Sequence, residues 1–210
     1  MGPRKAVTAV FFLNDASFSS WHSRLPTIEK RLDIGPGAVG VALLGAPLGL
    51  LIAQPAVGAI IARRGSRPLV AAAPLYLAAV VLPALSVNLL TLFAAVTIVG
   101  AANGAMDIAM NAQGMAVERT AKRRLFSSLH AAFSFGALAG AALAGLIAGV
   151  GVEPLAHLAG TAVIGVLVSL AIIPGLLYDR PDGDRAGPRF ARPNRRLALY
   201  AAISFCALLA

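Results

Sequence analysis

Long uncharged stretches separated by short charged connections dominate the pattern of this chain. Residues 37–62 contain no charged side chain, and neither do residues 68–106. A transmembrane helix needs roughly 20 mainly apolar residues, so the first stretch can cross a bilayer once and the second must fold back on itself. We expect the reversal at residues 86–88, just after Pro83. The pattern therefore predicts membrane-spanning helices.

Six such helices follow from this pattern. We place them at residues 6–24, 37–62, 69–86, 89–117, 127–150 and 154–178. The apolar segment 197–210 is too short to cross a bilayer and predicts the start of a seventh helix. We therefore expect an all-α polytopic membrane protein with three parts: a six-helix bundle at 1–178, a cytoplasmic linker at 179–196 and a truncated seventh helix at 197–210.

Charge and composition agree with a membrane protein. Hydrophobic residues make up 58% of the chain and charged residues 13%, outside the usual range of soluble domains. The net charge of +9 does not indicate nucleic acid, because the basic residues cluster between apolar spans. With the N-terminus in the cytoplasm, 15 of the 18 lie inside: two near the N-terminus, three at 63–67, four at 119–124 and six at 180–196. We expect a multi-pass plasma-membrane protein whose N-terminus and central loop are cytoplasmic.

The fourth helix carries a polar face. Within residues 100–114, small and polar side chains share an arc of about 100° that includes Asn103, Asp107 and Asn111. A charged side chain at the bilayer centre costs roughly 3 to more than 10 kcal/mol, so Asp107 should face a bundle interior or a wet cavity. The first helix has a second polar pair, Asn14 and Asp15. The alternative for these residues is helix packing through small residues and interhelical amide hydrogen bonds.

Three other polar side chains, His22, Gln54 and His130, are candidates for contact with a ligand. Their structural alternatives are an interfacial anchor, an interhelical hydrogen bond and a packing histidine, respectively. The sequence has no metal-ligand spacing, phosphate-cradling loop or nucleophile motif, so we expect no metal, no cofactor and no enzymatic activity. The fifth helix has glycines at spacings that predict close packing: Gly136, Gly140, Gly145 and Gly149.

Residues 58–67 read GAIIARRGSR. This stretch resembles the signature G-x-L-a-D-R-x-G-R-[RK] in the loop after the second helix of the major facilitator superfamily. It departs at Ala62, where the family has aspartate, and at Ser66. Stretches of the first and fourth helices are also similar to an uncharacterised bacterial branch, distantly similar to sugar and fucose permeases. The four residues that match the signature are Gly58, Arg63, Gly65 and Arg67.

The resemblance implies a fold and a function. It implies the N-terminal six-helix half of a transporter, built from two inverted three-helix repeats and completed by a C-terminal six-helix half. The activity implied is secondary active transport of a small polar solute by alternating access, coupled to protons, with the bilayer as the other partner. The solute would meet the first and fourth helices, which occupy corresponding positions in the two repeats. Candidate solute-binding residues are Asn14, His22, Gln54, Asn103, Asn111 and His130.

Asp107 is the first candidate for proton or cation coupling and Asp15 the second, because a medium of low dielectric favours the neutral form of a carboxyl group. The four signature residues would form the gating loop. Two alternatives stay open: a drug or metabolite efflux antiporter of the same superfamily, and an inactive or scaffold half-protein. An intramembrane protease is disfavoured, because no G-x-S-x-G motif is present.

Overall fold

The computed structural model describes residues 1–179, together with positions 199 and 202. This part of the chain is all-helical, as predicted, and residues 1–179 form nine α-helices and two 3₁₀ turns. The α-helices are α1 (Pro3–His22), α2 (Leu25–Leu32), α3 (Pro36–Leu43), α4 (Gly45–Arg64), α5 (Arg67–Val70), α6 (Ala73–Ala79), α7 (Leu89–Ala121), α8 (Phe126–Gly149) and α9 (Pro154–Ile172). The 3₁₀ turns are Leu82–Leu85 and Ile173–Gly175.

Five helical segments of the described residues are long and apolar enough to cross a bilayer. The helix α1 has 20 residues but is not one of them; its second half carries Asn14, Asp15 and several serines. The predicted linker and seventh helix lie outside the described residues, apart from Asp179 and positions 199 and 202. The five segments are Pro36–Arg64, Arg67–Leu85, Leu89–Ala121, Phe126–Gly149 and Pro154–Gly175.

Prolines set the helix breaks. Pro47, Pro74 and Pro83 each stand four residues after the last residue of a helix, which is α3, α5 and α6 respectively. A proline lacks the backbone N–H and its ring clashes with the carbonyl four residues earlier, so a helix can end there, although Pro55 lies inside α4. The predicted second helix is therefore two helices, α3 and α4, and the predicted helix at 69–86 is α5, α6 and a 3₁₀ turn.

The predicted reversal at residues 86–88 is confirmed by the start of α7. Asn88 caps the helix, because its side-chain oxygen accepts a hydrogen bond from the Thr91 backbone N–H at 2.9 Å. The Thr91 hydroxyl in turn accepts one from the Asn88 backbone N–H at 3.1 Å, which completes a reciprocal capping box. The two bonds fix where the apolar run turns back.

Glycines bring α8 against α1. A Cβ added at Gly136 or Gly140 would clash with the carbonyl oxygens of Phe12 and Ala16, so only glycine permits this approach of the two backbones. Close packing is confirmed for these two glycines. It does not hold for Gly145 and Gly149, which have no described neighbour within 4 Å of an added Cβ.

The pair α4 and α7 repeats this arrangement. Gly45 and Gly49, also four residues apart, lie against the α7 backbone at Phe93 and Thr97. In return, a Cβ added at Gly100 would clash with the α4 backbone at Ala46. The helices α6 and α9 form a third contacting pair. The bundle is thus built from two glycine-packed helix pairs and one pair interrupted by prolines.

Candidate functional site

Asn14 and Asn103 join α1 to α7. The Asn14 amide donates a hydrogen bond to the Asn103 side-chain oxygen at 3.3 Å, and Asn14 is only 3% exposed. The Tyr76 hydroxyl of α6 donates to the backbone carbonyl of Asn14 at 3.0 Å. Asn14 therefore helps to hold three helices together and positions the half-buried Asn103.

Asp107 lies on the exposed side of α7, one turn beyond Asn103. The Asn111 amide donates to the Asp107 carboxylate at 3.2 Å and to its backbone carbonyl at 2.8 Å. Asp15 on α1 and His130 on α8 lie within electrostatic range of Asp107. We call Asp15, Asn103, Asp107, Asn111 and His130 the central polar group. Three helices contribute to it.

Aromatic neighbours hold the His130 ring in place. Its Nδ1 lies 3.2 Å from the carbonyl oxygen of Phe126, and the ring meets Phe11 of α1 edge to face with centroids 5.6 Å apart. Phe126 and Phe133 flank it at centroid distances of 5.1 and 6.4 Å. His130 is nevertheless exposed on the surface of the described residues.

Two predicted ligand residues have other positions. His22 is the last residue of α1, about 10 Å along the helix axis from Asp15, and its ring lies against Phe18 and Trp21. Gln54 is exposed on α4, one turn after Leu50, whose side chain fills the space beside Gly104. The structure therefore separates His22 from the central polar group. It places Gln54 at a depth similar to that of Asp107.

The central polar group combines carboxylates, amides and an imidazole. Neither Asp15 nor Asp107 forms an ion pair with lysine or arginine in the described part of the chain. His130 is the basic side chain within electrostatic range of Asp107. Amides and imidazole can donate and accept hydrogen bonds from a polar solute, and a carboxyl group can take up or release a proton. The arrangement suits recognition of a polar solute next to a titratable acid.

A second polar site lies in the loop after α4. Asp179 accepts hydrogen bonds from the Ser66 backbone N–H and hydroxyl, both at 2.7 Å, and from the Arg67 backbone N–H at 3.2 Å. Gly65 has φ +75°, and an added Cβ there would clash with the Asp179 carbonyl. This glycine therefore provides both the backbone conformation and the space that Asp179 needs.

Gln113 completes this second site, and it is fully buried. Its amide nitrogen donates to the Ser66 hydroxyl at 3.0 Å and to the Leu177 carbonyl at 3.2 Å, and its oxygen accepts from the Leu177 backbone N–H at 3.1 Å. We call Ser66, Arg67, Gln113, Leu177 and Asp179 the loop cluster. It ties α7 and the loop after α4 to the chain that follows α9.

Two of the predicted gating residues, Gly65 and Arg67, lie against Asp179 of the loop cluster, and the other two lie on the surface. The Arg67 guanidinium lies 3.8 Å from the centre of the Tyr178 ring, a cation–π contact. Gly58 and Arg63 are exposed, and no atom of the described residues lies within 4 Å of a Cβ added at Gly58. Ala62 stands where the signature has aspartate, and Asp179 brings a carboxylate to this loop from a distant part of the chain.

Sequence reasoning missed Ser66, Gln113 and Asp179 as members of one site. Each had a local signal: Ser66 departs from the signature, Gln113 is an amide in an apolar helix, and Asp179 is the first carboxylate after the sixth apolar run. None of these signals indicates the other two residues. Their proximity comes from the packing of segments that are far apart in the sequence.

Comparison with known proteins decides the family. A family model of the Major Facilitator Superfamily matches residues 7–209. The chain belongs to the Major Facilitator Superfamily. The prediction from the loop signature is thereby confirmed, and the chain is a member of a membrane transporter family.

Three relatives of this superfamily member match most of the chain. An uncharacterised MFS-type transporter of Yersinia pestis is 30% identical over 95% of this chain and 52% of its own length. The membrane protein MosC of Rhizobium meliloti is 30% identical over 99% of the chain and 52% of its own length. An uncharacterised transporter of Sinorhizobium fredii is 36% identical over 84% and 46%. The chain spans about half the length of these curated relatives.

Proposed function

We propose that this chain supplies one half of a proton-coupled secondary transporter for a small polar solute, working by alternating access at the plasma membrane. The observation that carries the proposal is the central polar group, in which α1, α7 and α8 bring two carboxylates, two amides and an imidazole together. Membership of a transporter family supports a transport role for such a group. The second half would close the group on its open side.

Asp107 is the proposed coupling residue. It is exposed on a helix that crosses the bilayer, where a charged carboxylate needs water or a polar partner. Asn111 donates a hydrogen bond to the carboxylate, which favours its charged form. A change of the surroundings from wet to dry favours the neutral form. Asp15 is the second proposed coupling residue.

The proposed solute contacts are Asn103, Asn111, His130 and, from α4, Gln54. All four have accessible side chains, and each can form hydrogen bonds with hydroxyl or amide groups of a solute. Asn14 is buried and bonded to Asn103, so its proposed role is to position that amide. His22 lies near the end of α1 and has no proposed role in binding.

Six spans in two inverted repeats are also part of this proposal, with α1 as the first span. In an inverted repeat, spans 1, 2 and 3 correspond to spans 4, 5 and 6. Span 1 is α1, span 2 includes α4, span 4 is α7 and span 5 is α8. The pair α1–α8 therefore corresponds to the pair α7–α4. Both pairs have the same close packing, and in both the glycines four residues apart lie on the second span of a repeat. This correspondence is what a pseudo-two-fold relation requires, and the superfamily is itself the standard example of such repeats.

The experiment compares two Asp→Asn variants of the full-length protein in proteoliposomes that contain a pH-sensitive dye. A panel of sugars, polyols and amino acids is added outside, and movement of protons upon addition of each solute is recorded. We expect Asp107→Asn to abolish solute-dependent proton movement. The matched control is Asp33→Asn, which removes an exposed carboxylate after α2 and should leave it unchanged.

Retention of solute-dependent proton movement by a folded Asp107→Asn protein would remove Asp107 from the coupling role. Solute uptake without proton movement in the parent protein would refute proton coupling but not transport. Absence of uptake of every solute in the parent protein, in either direction of the gradient, would favour an inactive or scaffold role.

A further inference from the structure

Charge is distributed unequally between the two ends of the helical bundle. The end that carries α2 has three basic residues and three acidic ones: Arg24, Lys30, Arg31, Glu29, Asp33 and Glu153. The opposite end has nine basic residues and two acidic ones within residues 1–179: Arg4, Lys5, Arg63, Arg64, Arg67, Arg119, Lys122, Arg123, Arg124, Glu118 and Asp179. One end is thus balanced and the other strongly basic.

Both carboxylates of the basic end are engaged by backbone N–H groups. A Glu118 side-chain oxygen accepts hydrogen bonds from Leu125 and Phe126 at 2.6 and 2.9 Å, at the start of α8. Asp179 is held by the loop cluster. The basic residues of this end therefore receive little compensation from within the described part of the chain.

Five of these cations are exposed at the same end of two helices that pack together. Arg63 and Arg64 end α4; Arg119, Lys122 and Arg123 lie at the end of α7 and just beyond it. None of the five forms an ion pair with a carboxylate of residues 1–179. We call these five residues the basic surface. Gln113 of α7 contacts Ser66, two residues after Arg64, and α7 continues for about 12 Å beyond this contact.

Helix length carries the basic surface out of the hydrocarbon core. The helix α7 has 33 residues and extends about 50 Å, whereas the hydrocarbon core is about 30 Å thick. About 20 Å of α7 therefore lies outside the hydrocarbon, and its basic end belongs to this part. Cations beside the bilayer surface attract the phosphate groups of anionic lipids over about one Debye length.

We propose that the basic surface binds the headgroups of anionic phospholipids in the leaflet that it faces. Charge complementarity selects the partner, since five cations without a counter-ion among residues 1–179 face a layer in which phosphates are concentrated. Arginine fits this role because its guanidinium forms paired hydrogen bonds with phosphate oxygens. The central polar group lies elsewhere in the bundle and takes no part in this binding.

The test measures dissociation constants for phosphatidylglycerol and phosphatidylethanolamine by native mass spectrometry of the purified chain. We expect Arg63→Gln with Arg64→Gln to weaken phosphatidylglycerol binding about tenfold and to leave phosphatidylethanolamine binding unchanged. A second double variant, Lys122→Gln with Arg123→Gln, should have a similar effect. Exposed side chains are altered in both, so thermal unfolding should match the parent chain.

Two controls separate charge from other effects. Arg63→Lys with Arg64→Lys keeps the charge and should keep most of the preference for the anionic lipid. Lys30→Gln removes an exposed cation from the balanced end and should change nothing. Parent-like binding in both Gln double variants, or an equal loss in Lys30→Gln, would overturn the proposal. Release of the lipid by inorganic phosphate at constant ionic strength would also overturn it, because the surface would then bind soluble anions.

Discussion

Replacing Gln113 by leucine tests the loop cluster directly. Leucine keeps the apolar volume of the buried side chain but removes its donor and acceptor atoms, so hydrogen bonding is the main change. The Leu177 backbone N–H and carbonyl lose their partners, because Gln113 bonds to both. Gln113 is fully buried, so water does not readily replace the lost bonds.

The structure sets the expected magnitude. A buried polar group left without a partner costs about 1–3 kcal/mol, and two such groups give about 2–6 kcal/mol. Hydrogen bonds between transmembrane helices average only about 0.6 kcal/mol, because the unfolded state in the membrane also finds partners. Leu177 follows the last helical turn, so its backbone groups lack the intrahelical bonds that would satisfy them in that state. The larger range therefore applies.

The assay is reversible unfolding of the purified chain in mixed micelles of increasing SDS content, followed by loss of helical signal. Gln113→Leu should lower the free energy of unfolding by about 2–6 kcal/mol. Gln54→Leu is the matched control, the same change at an exposed position of α4, and should shift it by less than about 0.5 kcal/mol. A loss below about 1 kcal/mol for Gln113→Leu, or equal losses in both variants, would show that the loop cluster contributes little to stability.

Three further comparisons use the same unfolding assay. Gly140→Ala should destabilise the chain by about 1–3 kcal/mol, because the added Cβ would meet the α1 backbone. Gly145→Ala should have little effect, because no described atom lies near the added Cβ. Equal effects of the two substitutions would contradict the glycine-packed pair. Gly65→Ala should cost more than Gly151→Ala, although both have positive φ, because only the first would also displace Asp179. Asn88→Ala should cost about 0.5–2 kcal/mol through loss of the α7 cap, and Asn88→Ser should recover most of it; no loss in the alanine variant would refute the capping role.

Local features of the sequence were sufficient to predict much of the fold. The reversal before α7 was predictable because Asn88 and the residues before it interrupt an apolar run, and Asn88 is a good cap residue. The exact breaks at Pro47, Pro74 and Pro83 were not predicted, although their physical cause is local. A proline in a membrane helix can bend it or end it, and the packing of neighbouring segments decides which.

The candidate sites were predictable only in part. The polar face of α7 indicated Asp107 and Asn111, because a helical period places them together within one segment. The contact between Asn14 and Asn103 joins residues 89 positions apart, and a single sequence does not reveal such a pairing. The same holds for Arg24, which lies in a connection between helices yet is buried and donates to the Val152 carbonyl.

The two kinds of contact in this bundle bear on how coupling would work. Within α1–α8 and within α4–α7, glycines bring backbones together, and such contacts allow little adjustment. Between the two pairs, α1 and α7 also pack through apolar side chains, and a side-chain hydrogen bond from Asn14 to Asn103 joins them near mid-depth. Asp107 lies one turn from Asn103, so a change in its charge acts next to this adjustable contact. We therefore expect protonation to alter the relation between the pairs and to leave each pair intact.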